Sequence, residues 1–401
     1  MKQASRVLIA SLWLFASVLP VLIGSFLPTP VYAGEPTFQM AQASPEKAFE
    51  MPKMMTWTAY DVGSALYIQV GLISETLWEK YKMKIRVIPA GSDLPRVFPI
   101  RLKDADVAFH GGGAYFMQEG THDYSTRDWG PQPIRVLWLG QSPGAVMGVL
   151  RDSPIRLPAD FRGKRVPSFP AYIMTLLHEV YLVYAGLSWT DVQKVNVPTA
   201  TAASKMVMEG KLDVANFNPA SSQAYEAMAM PQGFRYIPLP FADKEGWARV
   251  KKLAPFFVPA KLTVGAGLSP EKPVEGPTYP YPLVISYDFL QADKAYTLTK
   301  VLTEAFPSYG PKNKAFELWT FDKFLELFDG VPMPLHEGSI QYLKEIGKWT
   351  PEREALNKKR LAHQDDLQKA WKAAIAEADQ KKVKNEDFPK FWLSKREAAG
   401  F

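Results

Sequence analysis

The chain has 401 residues, 47% hydrophobic and 22% charged, which excludes a mostly disordered or fibrous protein and leaves room for about two domains. It contains no cysteine, so disulfides, thiol catalysis, thiolate metal sites and a lipid on an N-terminal cysteine are all excluded. Lys+Arg is 47 against Asp+Glu 41, a net of +6, and no basic cluster is dense enough for a nucleic-acid face.

Lys2 and Arg6 precede an apolar stretch, 7–27, which ends before Pro28, Pro30 and the small-residue site Val31-Tyr32-Ala33. Charged start, apolar middle and A-x-A-like end predict a secretory signal over 1–33, cleaved after Ala33. An uncleaved anchor is the alternative, since about 18 apolar residues can span a bilayer. No second stretch of this kind follows, so the expected location is periplasmic, where a cysteine-free chain needs no oxidation to fold. Residues 34–53 carry Pro36, Pro45 and Pro52 among polar residues and form a leader.

A strand is predicted over 54–59. Leu66, Val70, Ile73 and Leu77 recur at spacings of three and four, so 64–81 is a helix. Residues 84–88 alternate as a strand, and the three elements make an opening βαβ unit. A short strand over 106–110 runs into Gly111-Gly112-Gly113 and a helix from residue 114. Strands follow over 135–139, 146–150 and 164–168, then a helix over 173–184 that stops at Gly186. A strand over 194–197, a helix over 200–209 and a strand over 213–217 repeat the pattern. Residues 253–282, rich in proline and glycine, read as a loop-heavy connection. A strand over 282–286 and a helix over 292–306 come next. The remainder is helical, with Leu367, Trp371 and Ile375 along one face of a long charged helix.

Residues 101–109 and 209–217 echo one another. Each ends a helix and passes through an aspartate, Asp106 or Asp213, into a short apolar strand. Two copies so far apart suit two similar α/β lobes rather than a solenoid. Ligands of open α/β sheets sit beyond the carboxyl ends of strands. Those ends are His110-Gly111-Gly112 and Asn218-Pro219-Ala220, and a cleft between the lobes is expected to be lined by both.

Gly140-Gln141-Ser142-Pro143-Gly144 matches a nucleophile-elbow pattern, but the elbow needs a helix after its serine. The sequence after Ser142 reads as strand, so a turn between strands is expected. The five histidines show no paired-ligand spacing for zinc. His178 is expected to be packed, whereas His110 is open between a cleft role and a core role. The glycines after it could bring backbone N–H groups to an anion, or form a plain turn. Asp61 and Ser64 are candidate site residues and equally candidate caps. Gly91-Ser92-Asp93 follows the second strand in the equivalent place. Small polar residues thus gather at three strand ends, interleaved with aromatics such as Tyr67 and Tyr115, and their convergence predicts a pocket.

Several segments, in order, resemble the TAXI branch of solute-binding receptors of tripartite ATP-independent periplasmic (TRAP) transporters. These are 65–71, Gly91-Ser92-Asp93, Ala105-Asp106-Val107-Ala108-Phe109, Gly163-Lys164-Arg165-Val166, Gly210-Lys211-Leu212-Asp213 and Pro334-Leu335-His336-Glu337-Gly338-Ser339. The likeness covers roughly 54–347. It implies an α/β, two-lobed periplasmic-binding-protein fold, type II-like, with a ligand cleft between the lobes and a helical C-terminal extension. Lobe one is expected at 54–148 plus 283–347, lobe two at 149–282 and the extension at 348–401. The implied function is capture of a small organic anion, carboxylate or amino-acid-like, and its delivery to TRAP permease subunits, with no reaction, cofactor, metal or nucleic acid. The alternatives are ligand presentation to a sensory receptor and, more remotely, a periplasmic serine hydrolase. The expected ligand residues are Asp61, Ser64, Tyr67, Gly91, Ser92, Arg96, His110, Gly111, Gly112 and Tyr115 from lobe one, with Tyr172, Thr175 and Asn218 from lobe two. The family's Gly-Ser-Gly-like loop opening the second lobe's helix reads Ser168-Phe169-Pro170-Ala171-Tyr172 here. Proline removes a donor and tyrosine adds bulk, which points to a larger or more apolar acid.

Overall fold

The computed structural model describes residues 51–254 and 256–401. The predicted signal segment and the leader up to residue 50 lie outside the described residues. The chain runs through β1 (Met54–Ala59), α1 (Ala65–Tyr81), β2 (Lys84–Pro89), α2 (Asp93–Arg101), β3 (Val107–His110) and α3 (Gly113–Glu119). It continues with β4 (Ile134–Gln141), β5 (Val146–Leu150), β6 (Arg165–Ser168), α4 (Tyr172–Tyr184), β7 (Gln193–Asn196), α5 (Ala200–Met208), β8 (Ala215–Phe217) and α6 (Ser222–Ala229). Then come β9 (Phe234–Ile237), β10 (Val258–Leu262), β11 (Val274–Thr278) and β12 (Pro280–Tyr287), before a run of helices.

Local chemistry places these elements. The Ser64 hydroxyl accepts from the Tyr67 N–H at 3.2 Å and caps α1. Leu66, Val70, Ile73 and Leu77 are the buried stripe of that helix. Residues 93–101 form α2, the helix whose end the echo at 101–109 marks, with Pro99 in its last turn.

The first sheet has the order β2-β1-β3-β12-β4. Strands β1, β2 and β3 are parallel, and β12 is inserted antiparallel between β3 and β4. The second set repeats that logic. Strand β6 pairs parallel with β7, and β5 lies antiparallel between β8 and β9. The two pieces meet where Asp213 N–H donates to the Arg165 carbonyl at 3.2 Å. The echo in the sequence has its physical meaning at this seam. Asp213 accepts from the Arg165 N–H at 2.7 Å, and Asp106 accepts from the Thr56 N–H at 2.8 Å. In each sheet the aspartate before the short strand pins the start of the parallel neighbour. Two α/β sheets built alike and joined by two crossings make the two-lobed, type II-like fold of periplasmic binding proteins.

The crossings are short. All of β5 pairs with the second sheet, so the first crossing lies between Gln141 and Val146. The second is at Tyr279, between β11 and β12. The proline-rich connection is not loop throughout: β10 and β11 form an antiparallel hairpin in which Pro259 faces Pro277. The prolines are tolerated because they face each other, where neither has an N–H to give, while the outer edge of β11 still accepts from Ala145 and Leu239 N–H through the Pro277 and Glu275 carbonyls.

The C-terminal helices Pro351–Gln380 and Phe388–Ala398 pack on the first lobe. Trp392 is fully buried, and its Nε1–H donates to the Gly120 carbonyl at 2.7 Å. Asn357 accepts from the Leu335 N–H at 2.7 Å, and Gln364 donates to Gln118 and to the Ile134 carbonyl. Glu119 is buried, which opposes its ionisation, yet His363, Gln118 and Arg396 hold its carboxyl below the usual range. Among the described residues no helix is long and apolar enough to cross a membrane.

Candidate functional site

The loop between β1 and α1 meets the starts of α5 and α6 from the other lobe. Thr201 Oγ1 donates to Asp61 Oδ2 at 2.8 Å. Ser222 Oγ donates to the Gly63 carbonyl at 2.8 Å. A third link lies further along the seam, where Tyr172 N–H donates to Asp123 Oδ2 at 2.9 Å. Between the lobes these contacts enclose a cavity of about 70 Å³. Its wall carries Asp61, Ser64 and Gly112 from the first lobe and Thr201, Asn218 and Ser221 from the second. Tyr279 and Tyr281, at the second crossing, also line it. Burial pushes the Tyr279 phenol up to about 12, so it stays a neutral donor.

The N-termini of α1, α5 and α6 all reach this wall, through Ser64 and Ala65, Ala200 and Thr201, and Ser221. The cap hydroxyls of Ser64, Thr199 and Ser221 accept from the third N–H of each helix. The first two N–H groups of an α-helix have no partner within it, and helix N-termini favour anions. Asp61 is the charged side chain on the wall.

Of the expected residues, Asp61, Ser64, Gly112 and Asn218 line this cavity. Asn218 also folds its own turn, accepting from the Ala220 N–H at 2.9 Å. Tyr115 lines a different cavity. The others lie elsewhere. Arg96, expected as a ligand residue, does not line the cavity: it is fully buried and donates to Asp93 Oδ1 at 2.9 Å and to the Ala90 carbonyl at 3.2 Å. Its guanidinium sits 3.3 Å above the centre of the Tyr60 ring. His110 is buried beside this pair, 3.7 Å from Asp93 Oδ2, and burial lowers its pKa. Gly113 is what lets Asp93 in, since a Cβ there would lie 1.8 Å from Asp93 Oδ2. Gly111 likewise makes room for Tyr60 and Tyr281. Gly91 approaches Thr199 of the other lobe, and Ser92 is the N-cap of α2 without a side-chain cap bond. Tyr67 packs against the core. The Tyr172 ring stacks on His122, 3.7 Å between centres and 8° from parallel. Thr175 bonds both the N–H and the carbonyl of Phe169.

The residues missed include Thr201, Ser204, Asn216, Ser221, Gln223, Tyr279 and Tyr281 on the wall. Asn216 had a signal. It is the polar residue in the second copy of the echo, at the position of Phe109 in the first. Thr201 stood in the first turn of a predicted helix. Tyr279 and Tyr281 fell in the segment read as loop.

Two further expectations concern catalysis. Ser142 is buried, accepts from the Gly144 N–H at 3.0 Å and joins β4 to β5, so no strand–serine–helix elbow forms. Among the described residues no group of three His, Asp or Glu is placed for a metal ion.

His178 supports the wall from behind. Its Nε2 accepts from the Asn216 N–H at 2.9 Å and its Nδ1 faces the Met174 carbonyl at 2.9 Å, which fits a neutral ring protonated on Nδ1. Burial lowers its pKa to about 4. The unfolded chain therefore binds this proton more readily, so the stabilisation is full above about pH 6.5 and is lost as pH falls toward 4. At pH 5 the loss from this group is about 2 kcal/mol. We expect His178→Gln to flatten the fall of the urea midpoint between pH 7 and 5. An unchanged pH slope would show that His178 carries no such linkage.

A second, larger cavity of about 430 Å³ shares Gly112 and Tyr279 with the first.

A family model described as "NMT1-like family" matches residues 58–347. It stops before the two C-terminal helices. No curated protein matches the chain. Among solved structures, the periplasmic aliphatic sulphonate binding protein SsuA from Escherichia coli is 16% identical, with 78% of this chain and 86% of that chain covered and a TM-score of 0.40. The methionine binding protein MetQ is 13% identical, covering 67% and 96%, with a TM-score of 0.39. PhnD1 from Prochlorococcus marinus, solved with methylphosphonate, is 13% identical, covering 75% and 100%, with a TM-score of 0.40.

Proposed function

The chain belongs to the NMT1-like family, and from that premise we propose that it is an extracytoplasmic solute-binding receptor. It captures a small organic anion, carboxylate or amino-acid-like, by closing two lobes over it, and delivers it to a TRAP-type permease without catalysing a reaction. Lobe one is 54–141 with 280–347, lobe two is 146–278, and the helices after residue 347 brace lobe one. The observation that carries this reading is the polar cavity between the lobes, reached by three helix N-termini. With Arg96 committed to Asp93, the anion is held by backbone N–H groups and hydroxyls rather than by a guanidinium. A volume of about 70 Å³ suits a group of a few heavy atoms. Ligand that favours the closed form by its differential affinity drives the closure.

The test is a thermal-shift screen of two- to five-carbon carboxylic acids and amino acids. A true ligand at a hundredfold excess over its Kd stabilises by about 2.7 kcal/mol. Asp61→Asn then sorts the two ligand types. Removing that charge strengthens binding of a simple carboxylate, and weakens binding of an amino acid whose ammonium faces Asp61. If no acid or amino acid raises the unfolding temperature, the reading fails.

A further inference from the structure

We propose that the larger cavity is a second binding site, for an uncharged and mostly apolar small molecule such as an aryl or short alkyl compound. At about 430 Å³ it falls in the range of small-molecule pockets. Tyr115, Tyr279, Leu283, Leu327, Val331 and Met333 line it. The carboxylate at its edge, Glu326, is largely exposed and is held by Lys323 at 2.7 Å. An apolar guest therefore enters without stripping water from an unpaired charge. The site differs from the polar cavity in chemistry, although both lie between the lobes. The polar cavity is reached by helix N-termini, whereas the larger one is walled by Pro280 and Leu283 of β12, the segment 326–333 and, from the second lobe, Phe256, Val258 and Thr278. Gly112 and Tyr279 are the partition between them. The partition is tight at Gly112, where a Cβ would lie 3.2 Å from both Ile173 and Phe256. Gln141, Thr278 and Pro280 also line the larger cavity, so its guest touches both crossings between the lobes.

Gly330 supplies the means to fill it. A Cβ there meets nothing closer than the Leu327 carbonyl at 3.7 Å, and its φ lies outside the left-handed region. Gly330 lines the cavity and is exposed, so Gly330→Phe places a ring at the cavity's rim without backbone strain. The probe is indole, titrated into the full chain by calorimetry. The wild-type chain is expected to bind indole saturably at one site. Gly330→Phe should weaken that binding at least tenfold with an unchanged urea midpoint, while Asp61→Asn leaves it within twofold. Should Gly330→Phe lower the midpoint, Leu327→Trp fills the same space and carries the same expectation. Absence of saturable binding to the wild type, binding by the filled variant equal to wild type, or loss of binding in Asp61→Asn would each overturn the second site.

Discussion

Replacing Arg96 with methionine is expected to cost about 3–5 kcal/mol of stability, read as a fall in the urea midpoint. Asp93 is 2% exposed, and Arg96 supplies its close charge partner. Methionine keeps most of the volume but leaves a buried carboxylate without compensation. His110, at 3.7 Å, is a poor substitute, because its own burial opposes protonation. The double variant Asp93→Asn with Arg96→Met removes both charges and should recover much of the loss, since buried pairs are costly to break and cheap to replace whole. A single variant within about 1 kcal/mol of wild type, or a double variant no better than the single, would contradict this account. Since Arg96 lies behind the site, the folded fraction of either variant should bind solute as wild type does.

The second large effect belongs to the C-terminal helices. Trp392→Ala should cost about 3–5 kcal/mol. The indole is fully buried, meets Trp371 edge-on at 4.9 Å and bonds the Gly120 carbonyl. Trp371 in turn lies so close to Gly130 that a Cβ there would come within 2.2 Å of the ring. Deleting residues 350–401 goes further. It leaves the Leu335 N–H without the Asn357 oxygen and Glu119 without His363 and Arg396. The truncated chain is expected to lose its cooperative unfolding transition or its solubility in isolation. A truncated chain that unfolds at the same urea concentration as the full chain would show that these helices do not brace the first lobe.

Much of the fold is legible along the chain because its causes are local. The 3.6-residue stripe of α1, its Ser64 cap and the alternation of β2 act within one element. The repeated aspartates were also readable, since Asp106 and Asp213 do the same work in two like sheets. The cavity residues at strand ends and helix starts, Asp61, Ser64, Gly112 and Asn218, followed from topology alone. Other features needed the tertiary structure. Whether an arginine is solvated or sealed depends on what covers it, and Tyr60, on β1's outgoing loop, covers Arg96. The insertion of β12 between β3 and β4 pairs residues far apart in the chain, from Pro280 with Gln141 to Leu283 with His110, which no local pattern encodes. The hairpin of β10 and β11 hid among prolines because Pro259 and Pro277 face each other across it, a pairing no local pattern marks. Tyr172 looked like a ligand aromatic by position, and only the approach of His122 and Phe116 from the other lobe gave its ring partners. Periodicity and capping are properties of consecutive residues, whereas burial, pairing and cavity walls are properties of residues that meet in space.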